Sequence, residues 1–172
     1  VVAQLHTINF PSFGELTERG RVEEEQSYLS ALVKRADQMI KHIRLYEIFL
    51  SVLDKYKSLF TDIGSATLCH EDLHRHNLLF QRQGGKWRLT TILDFDKAWA
   101  GFHETDLARL DLWQDMMGEG FWPAYEAIRS VDQLYPQRRA IYQLLWCFEY
   151  ARSTPEHVAD TQKVWAELGI VA

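Results

Sequence analysis

The chain has 172 residues, of which 47% are hydrophobic and 25% charged, and its formal net charge is −5. This length and balance suit a single globular domain that can bury a core. The acidic balance argues against a nucleic-acid-binding surface, and no apolar run is long enough to span a membrane. The two cysteines, Cys69 and Cys147, lie far apart, so we expect a reducing, cytoplasmic setting and not a disulfide framework.

Apolar spacing predicts helices over most of the chain. Residues 1–8 have the pattern of the end of a helix, so we expect this chain to be a piece of a longer polypeptide. Residues 9–21 contain a proline and two glycines and predict a loop. The further helices are predicted at 22–43, 45–60, 105–116, 122–131, 136–150 and 155–168.

The periodicity changes between residues 78 and 93. Two short runs, 78–81 and 87–93, are rich in strand-forming residues and flank Gly84-Gly85, a pair suited to a tight turn with positive φ. We therefore predict a mainly α fold with one small β-hairpin, of the α+β class.

Four polar residues surround this predicted hairpin. Asp72 precedes its first strand, Asn77 begins that strand, Asp94 ends the second strand, and Asp96 follows. A hairpin brings the start of its first strand beside the end of its second, so Asn77 and Asp94 should be neighbours, with Asp72 nearby. Carboxylate and amide oxygens are suited to Mg²⁺, which usually takes phosphate oxygens and water as its other ligands.

The same stretch, LCHEDLHRHNLLF at 68–80, also contains three histidines, and its apolar ends are expected to be core. Zinc bound by His70, His74 and His76 is an alternative to the oxygen-ligand site. The spacing His70-x-Asp72-x4-Asn77, followed by Asp94 after a later strand, is instead typical of phosphoryl transfer of the protein-kinase type.

The linked motifs resemble those of the aminoglycoside phosphotransferase and choline kinase family of small-molecule kinases. The matching elements are HEDLHRHN at 70–77, ILDFD at 92–96, Gly101 and Asp-Leu-Ala at 106–108. The resemblance implies that residues 1–172 form one domain, the helical C-terminal lobe of a protein-kinase-like fold. The N-terminal nucleotide lobe would be absent from the chain, since no GxGxxG or GxxxxGK[ST] motif occurs.

The resemblance also implies roles for individual residues. Asp72 would be catalytic and would position the acceptor hydroxyl, and His74 would lie near the transferring phosphate. Asn77 and Asp94 would bind Mg²⁺ and, with it, the phosphates of ATP. Asp96 would be a further metal position or would orient the metal ligands.

Two more residues would support the loop. His70 would organise it, and Asp106 would begin the next helix and accept backbone N–H bonds from it. The sequence departs from the family pattern by having Glu71 at a usual Gly, Arg75 at a usual Pro and His76 at a usually small residue.

The implied function is transfer of the γ-phosphate of ATP to a hydroxyl of a small molecule that is aminoglycoside-, choline- or sugar-like. The resemblance places the acceptor among the C-terminal helices and the helical pair at 22–60. The expected partners are this acceptor, ATP and the protein's own N-terminal lobe, with no nucleic acid and no membrane, and the isolated chain is expected to be inactive. The alternative is a catalytically silent kinase-like module that binds or regulates.

Overall fold

The computed structural model describes residues 1–23, 26–113, 116–150 and 154–170. About half of the chain is helical, and the strands are short. The helices are α1 Val2–Leu5, α2 Tyr28–Met39, α3 Ile43–Lys55, α4 Glu104–Leu112, α5 Phe121–Glu126, α6 Tyr135–Tyr150 and α7 Pro155–Leu168. The strands are β1 Gly14–Glu15, β2 Thr67–Cys69, β3 Leu78–Gln83, β4 Lys86–Ile92 and β5 Trp99–Gly101, and short 3-10 turns cover Lys57–Phe60 and Arg75–Asn77.

Helix α2 begins six residues later than the sequence predicted. Val22 and Gln26 instead form isolated β-bridges with Leu16 and Phe13. Ser27 is extended and its hydroxyl accepts a backbone N–H of the first turn, so it is the N-cap that starts the helix. The predicted start at Val22 is wrong because local pairing and this cap outweigh the apolar periodicity.

The later helices follow the prediction more closely. Helices α6 and α7 are confirmed, and α7 has Thr154 as its N-cap, Pro155 in its first turn and Gly169 at φ 65° after its end. Helices α4 and α5 end earlier than expected, at residues 112 and 126. Parts of the predicted helices at 22–43 and 105–116, namely residues 24–25 and 114–115, lie outside the described residues.

The predicted hairpin is confirmed as the antiparallel pair β3 and β4. Gly84 and Gly85 have φ values of 57° and 79°, as a tight turn of this kind requires. The apolar end of the stretch 68–80 was expected to be core, and here the prediction is wrong. Leu79 is 46% exposed and Phe80 is 54% exposed, because most of both hairpin strands lies at the surface.

A second sheet was not predicted. Strands β1, β5 and β2 form a three-stranded antiparallel sheet in that order. The expectation of a single hairpin is therefore wrong, because strands of two or three residues are too short to show an alternating pattern. Strand β2 is buried and runs directly into His70, so this sheet sets where the loop 70–77 begins.

Helix α6 is the centre of the core and packs against α2, α3, α4 and α7. A buried ion pair joins it to α4. Arg138 donates from Nε and Nη2 to the two carboxylate oxygens of Glu104 at 2.7 and 2.8 Å, and from Nη1 to the carbonyl oxygen of Leu59 at 3.0 Å. Within the described ranges, no helix combines the length and the apolarity needed to cross a bilayer.

This pair yields a stability prediction. Glu104→Gln should lower the free energy of unfolding by about 3 kcal/mol, because it removes the buried carboxylate that pairs with the buried Arg138 guanidinium. The remaining charged partner, Asp132 at 3.1 Å from Nη2, is exposed and compensates only weakly. The exposed pair of Lys57 and Asp54 offers a matched control, and Asp54→Asn should change stability by less than about 1 kcal/mol. Urea unfolding followed by circular dichroism measures both, and equal effects would contradict the prediction.

Candidate active site

Asp72 lies at the edge of an open pocket of about 740 Å³. The described residues that line it come from the loop 70–77, from α4 and the segment that follows it, and from α6 and α7 with the segment between them. The helical pair predicted at 22–60, which the family resemblance had placed beside the acceptor, contributes none of them. The lining aromatic side chains are Trp113, Trp146 and Tyr150, and Glu156 and Asp160 add two carboxylates on the α7 side.

The loop that carries Asp72 is held from beneath by Asp106, near the start of α4. The Asp106 carboxylate accepts the backbone N–H groups of His70 and Glu71 at 2.8 and 2.7 Å, and Nε2 of His6 donates to it at 3.0 Å. Burial raises the pKa of Asp106, but these hydrogen bonds outweigh burial, so its pKa lies below the ordinary value. The carboxylate therefore stays ionised and fixes the start of the loop.

The bond from His6 continues into a buried chain of polar groups that the sequence did not reveal. Nδ1 of His6 lies 2.7 Å from the Tyr125 hydroxyl, and that hydroxyl lies 2.9 Å from Nδ1 of His103. Burial, with Arg129 close by, lowers the pKa of His103 to about 2, so this ring is neutral. This series of hydrogen bonds links the end of the first helix, α5 and the start of α4 beneath the loop.

The neutral His103 makes stability depend on pH. Below the ordinary histidine pKa of about 6.5, His103 binds a proton in the unfolded chain but stays neutral in the folded chain. The free energy of unfolding therefore falls as pH falls, by up to about 1.4 kcal/mol per pH unit. His103→Gln should remove this contribution. Urea unfolding of the two proteins at several values between about pH 7 and pH 5 measures it. Parallel pH dependences would contradict the prediction.

His70 joins the loop 70–77 to the segment that leads to Asp94. Its Nδ1 accepts the backbone N–H of Asp72 at 3.1 Å, and its Nε2 donates to the carbonyl oxygen of Leu93 at 2.8 Å. Both ring nitrogens are thus engaged, which leaves none for a metal. In the described part of the chain no three His, Cys, Asp or Glu side chains are grouped as a metal site, so the zinc alternative gains no support.

Asn77 lies beside the segment that contains Asp94, as the hairpin argument expected. Its carbonyl oxygen accepts the N–H of Leu93 at 2.9 Å, and its side-chain amide donates to the carbonyl oxygen of Asp72 at 3.0 Å. That bond uses the amide nitrogen and leaves its oxygen available. Asp94 and Asp96 are exposed, and neither carboxylate bonds to another described residue. The side-chain oxygens of Asn77, Asp94 and Asp96 are of the kind that Mg²⁺ prefers as ligands.

His74 lies between Asp72 and the pocket wall. Its Nδ1 accepts the backbone N–H of His76 at 3.2 Å, so in the neutral ring Nε2 carries the proton. Nε2 lies 3.8 Å from Oδ2 of Asp72, which is beyond hydrogen-bond reach. Burial lowers the pKa of His74, so the ring is predominantly neutral at pH 7.

Two contacts to Asp72 were missed by the sequence reasoning. Nη1 of Arg109 donates to Oδ1 of Asp72 at 3.2 Å, and the Tyr150 hydroxyl donates to the same oxygen at 3.3 Å. Arg109 follows Asp106 by three residues on α4, a spacing that puts both on one helix face, so a signal for it existed. Tyr150 ends a helix far along the chain, and nothing in the sequence connects it to Asp72.

Comparison with known proteins decides the family. The model of the phosphotransferase enzyme family, APH, matches residues 1–142. The chain belongs to this phosphotransferase family. A comparison with curated proteins found no significant match.

Two solved structures share the fold, which is kinase-like. One is described as a fructosamine-3-kinase from Thermobifida fusca YX-ER1, with TM-score 0.66 and 20% identity over 98% of this chain. The other is a thermostable mutant of the aminoglycoside phosphotransferase APH(4)-Ia in a ternary complex with AMP-PNP and hygromycin B, with TM-score 0.57 and 17% identity over 98% of this chain. This chain spans 62% of the length of each.

The geometry explains one departure from the motif of the phosphotransferase family. Glu71, where the family usually has Gly, has φ 62°, a conformation that glycine adopts freely and that costs other residues roughly 1 kcal/mol or more. Its carboxylate accepts Nε1–H of the fully buried Trp99 at 3.1 Å, a contact that glycine could not make. The hydrogen bond offsets the backbone strain and ties the loop to β5.

Trp99 in turn requires Gly101, which the family motif shares. A Cβ atom on Gly101 would lie 2.4 Å from Cε2 of Trp99. Gly101→Ala should therefore lower the free energy of unfolding by about 1–3 kcal/mol through overpacking. Gly118 has open space where its Cβ would be, so Gly118→Ala is the matched control. Thermal unfolding compares the two, and a Gly101→Ala protein as stable as the control would contradict the prediction.

Proposed function

We propose that the protein containing this chain transfers the γ-phosphate of ATP to a hydroxyl group of a small molecule. The observation that carries the proposal is Asp72, which lies at a large open pocket on a loop anchored by Asp106. Membership of the phosphotransferase family and the kinase-like fold support it. Because the chain spans 62% of the length of the solved structures, the activity is proposed for the whole protein.

In the proposed reaction, Asp72 accepts a hydrogen bond from the acceptor hydroxyl and aims its oxygen at the γ-phosphorus. The transition state of phosphoryl transfer is loose, so the hydroxyl keeps its proton until late and orientation matters more than basicity. The half-buried position of Asp72 leaves it open to the pocket but limits its motion. His74 would contact the transferring phosphate from the same loop.

Asn77 and Asp94 would hold Mg²⁺, and Asp96 would add a second position or orient the metal ligands. The metal would screen the negative charge of the ATP phosphates. The protein residues themselves would align the metal ion and the acceptor with each other. The amide of Asn77 is fixed by its bond to the Asp72 carbonyl, so the metal position and the acceptor position are tied to one loop.

The pocket supports a small acceptor with both apolar and cationic character. Aromatic faces such as those of Trp113 and Trp146 pack against rings or hold cations, and the carboxylates of Glu156 and Asp160 favour positive charge. Aminoglycoside- and choline-like hydroxyl compounds have this positive charge, and uncharged sugar-like compounds complete the set to be screened.

We also propose that this chain is the C-terminal lobe of the enzyme and that a nucleotide-holding N-terminal lobe completes it. The absence of a phosphate-covering glycine motif within residues 1–172 supports this. On this proposal the isolated chain transfers little phosphate, and ATP turnover has to be measured on the full-length protein.

Asp72→Asn in the full-length protein should lower kcat at least about 100-fold, the usual minimum contribution of a catalytic acid or base. Asp94→Ala should lower kcat to a similar extent, because it removes a proposed ligand of the Mg²⁺ that screens the phosphates. The assay measures ADP release with Mg²⁺ and ATP against a panel of hydroxylated metabolites and aminoglycosides, with mass spectrometry of the product. Asp62→Asn changes an exposed carboxylate that does not line the pocket, so it is the control and should retain full activity.

Turnover of a confirmed acceptor that is unaffected by Asp72→Asn would refute the assigned chemistry. If no acceptor is turned over while Mg²⁺–ATP titration shows binding that Asp94→Ala leaves unchanged, the silent binding module is the better description.

A further inference from the structure

Asp72 and four other side chains form a closed ring of hydrogen bonds. Arg109 donates from Nη1 to Oδ1 of Asp72 at 3.2 Å and from Nη2 to Glu149 at 3.0 Å. Lys97 donates to the other Glu149 oxygen at 2.7 Å and also to the Tyr150 hydroxyl. That hydroxyl donates to Oδ1 of Asp72 at 3.3 Å and closes the ring.

The ring draws its members from four separate parts of the fold. Asp72 comes from the loop 70–77, Arg109 from α4, Glu149 and Tyr150 from the last turn of α6, and Lys97 from the segment before β5. No two of these parts are adjacent in the chain, so the ring forms only when the whole domain is folded. It therefore fixes Asp72 relative to the helices that line the pocket.

Charge alternates around the ring, with two carboxylates and two cations. The Arg109 side chain is 5% exposed and that of Glu149 is 10% exposed, so both interactions are weakly screened by water. Burial lowers the pKa of Lys97, but its bonds to Glu149 and Tyr150 raise the pKa above the ordinary value, so Lys97 remains charged. Removing the charge of one member of the ring would therefore weaken the ion pairs that hold the other members in place.

The ring also distinguishes the two oxygens of Asp72. Oδ1 accepts from both Arg109 and Tyr150, whereas Oδ2 lies 3.8 Å from the nearest ring nitrogen of His74. A carboxylate oxygen that already has two donors is poorly placed to accept a third. The remaining oxygen is the one suited to an incoming hydroxyl.

We propose that Arg109 and Tyr150, held in place by Glu149 and Lys97, are positioning residues that occupy Oδ1 of Asp72 and present Oδ2 to the acceptor hydroxyl. This inference rests on the proposed phosphotransferase function. In the step itself, the acceptor oxygen forms a bond to the γ-phosphorus while the bond from that phosphorus to the leaving ADP oxygen breaks. The hydroxyl proton passes to Oδ2.

Glu149→Gln is the sharpest test because Glu149 touches neither the pocket nor Asp72. The change keeps the shape of the side chain and removes the charge between Arg109 and Lys97. We expect kcat to fall about 10-fold or more, with KM for acceptor and for Mg²⁺–ATP changed by less than about two-fold, because small displacements of a catalytic group cost rate and not binding.

Tyr150→Phe removes one bond to Oδ1 and keeps the aromatic ring in the pocket. It should lower kcat in the same way, and its effect should not add to that of Glu149→Gln, since both act through Asp72. In an Asp72→Asn background, Glu149→Gln should have no further effect on kcat, a result that a merely structural role would not produce. Tyr46→Phe and Glu47→Gln on α3 are the matched controls and should retain full activity.

The results separate this inference from the proposed function. If Asp72→Asn abolishes turnover and Glu149→Gln leaves kcat within about two-fold, the positioning role is refuted and the phosphotransferase function stands. If Asp72→Asn retains turnover, the proposed chemistry is refuted first.

A structural measurement decides the positioning role without any turnover. Crystal structures of the full-length wild type, Glu149→Gln and Tyr150→Phe should show the Asp72 carboxylate displaced by more than about 0.5 Å in both variants, the tolerance within which catalytic groups are held. An unmoved carboxylate would overturn the inference even if no acceptor is found.

Discussion

Asp106 is fully buried, and a carboxylate removed from water is costly unless several donors satisfy it. Here the backbone amides of His70 and Glu71 and the ring of His6 supply those donors. The donors come from two segments that lie far from Asp106 in the chain. The interaction therefore brings together the loop 70–77, the first helix and the start of α4, and the position of Asp72 follows from it.

Backbone strain occurs at two of the positions that matter for the site. Glu71 and Asp94 both have φ near 60°, in the left-handed region, and each lies beside or at a predicted site residue. Such conformations persist only where surrounding contacts over-determine them. For Glu71 these contacts are the Asp106 anchor and the hydrogen bond to Trp99, which in turn needs the small Gly101. The geometry of the loop is thus specified from several sides.

Two groups of charges inside the domain are paired, whereas the carboxylates of Asp94 and Asp96 are exposed. Glu104 and Arg138 neutralise each other between α4 and α6, and the ring around Asp72 pairs its own charges. Asp94 and Asp96, by contrast, are exposed and bond to no other described residue. This division separates groups that hold the fold from groups that, on the proposed function, would bind a metal ion.

The sequence determined the elements whose signal is local. The glycine pair at 84–85 specified the hairpin turn, and Pro155 specified the start of α7. The predicted hairpin also placed Asn77 beside the segment that leads to Asp94. The sequence did not predict β2 and β5, because strands of three residues show no periodicity. The helix start predicted at residue 22 was also wrong, because a cap and two bridges at residues 22–27 override the apolar spacing.

Only the tertiary structure decided which side chains surround Asp72. Arg109 and Tyr150 contact the same oxygen of Asp72, although they lie 37 and 78 residues from it in the chain. His6 reaches Asp106 across 100 residues in the same way. Hydrogen bonds between distant segments leave no periodic trace in the sequence, because they depend on how helices pack and not on the spacing within any one of them.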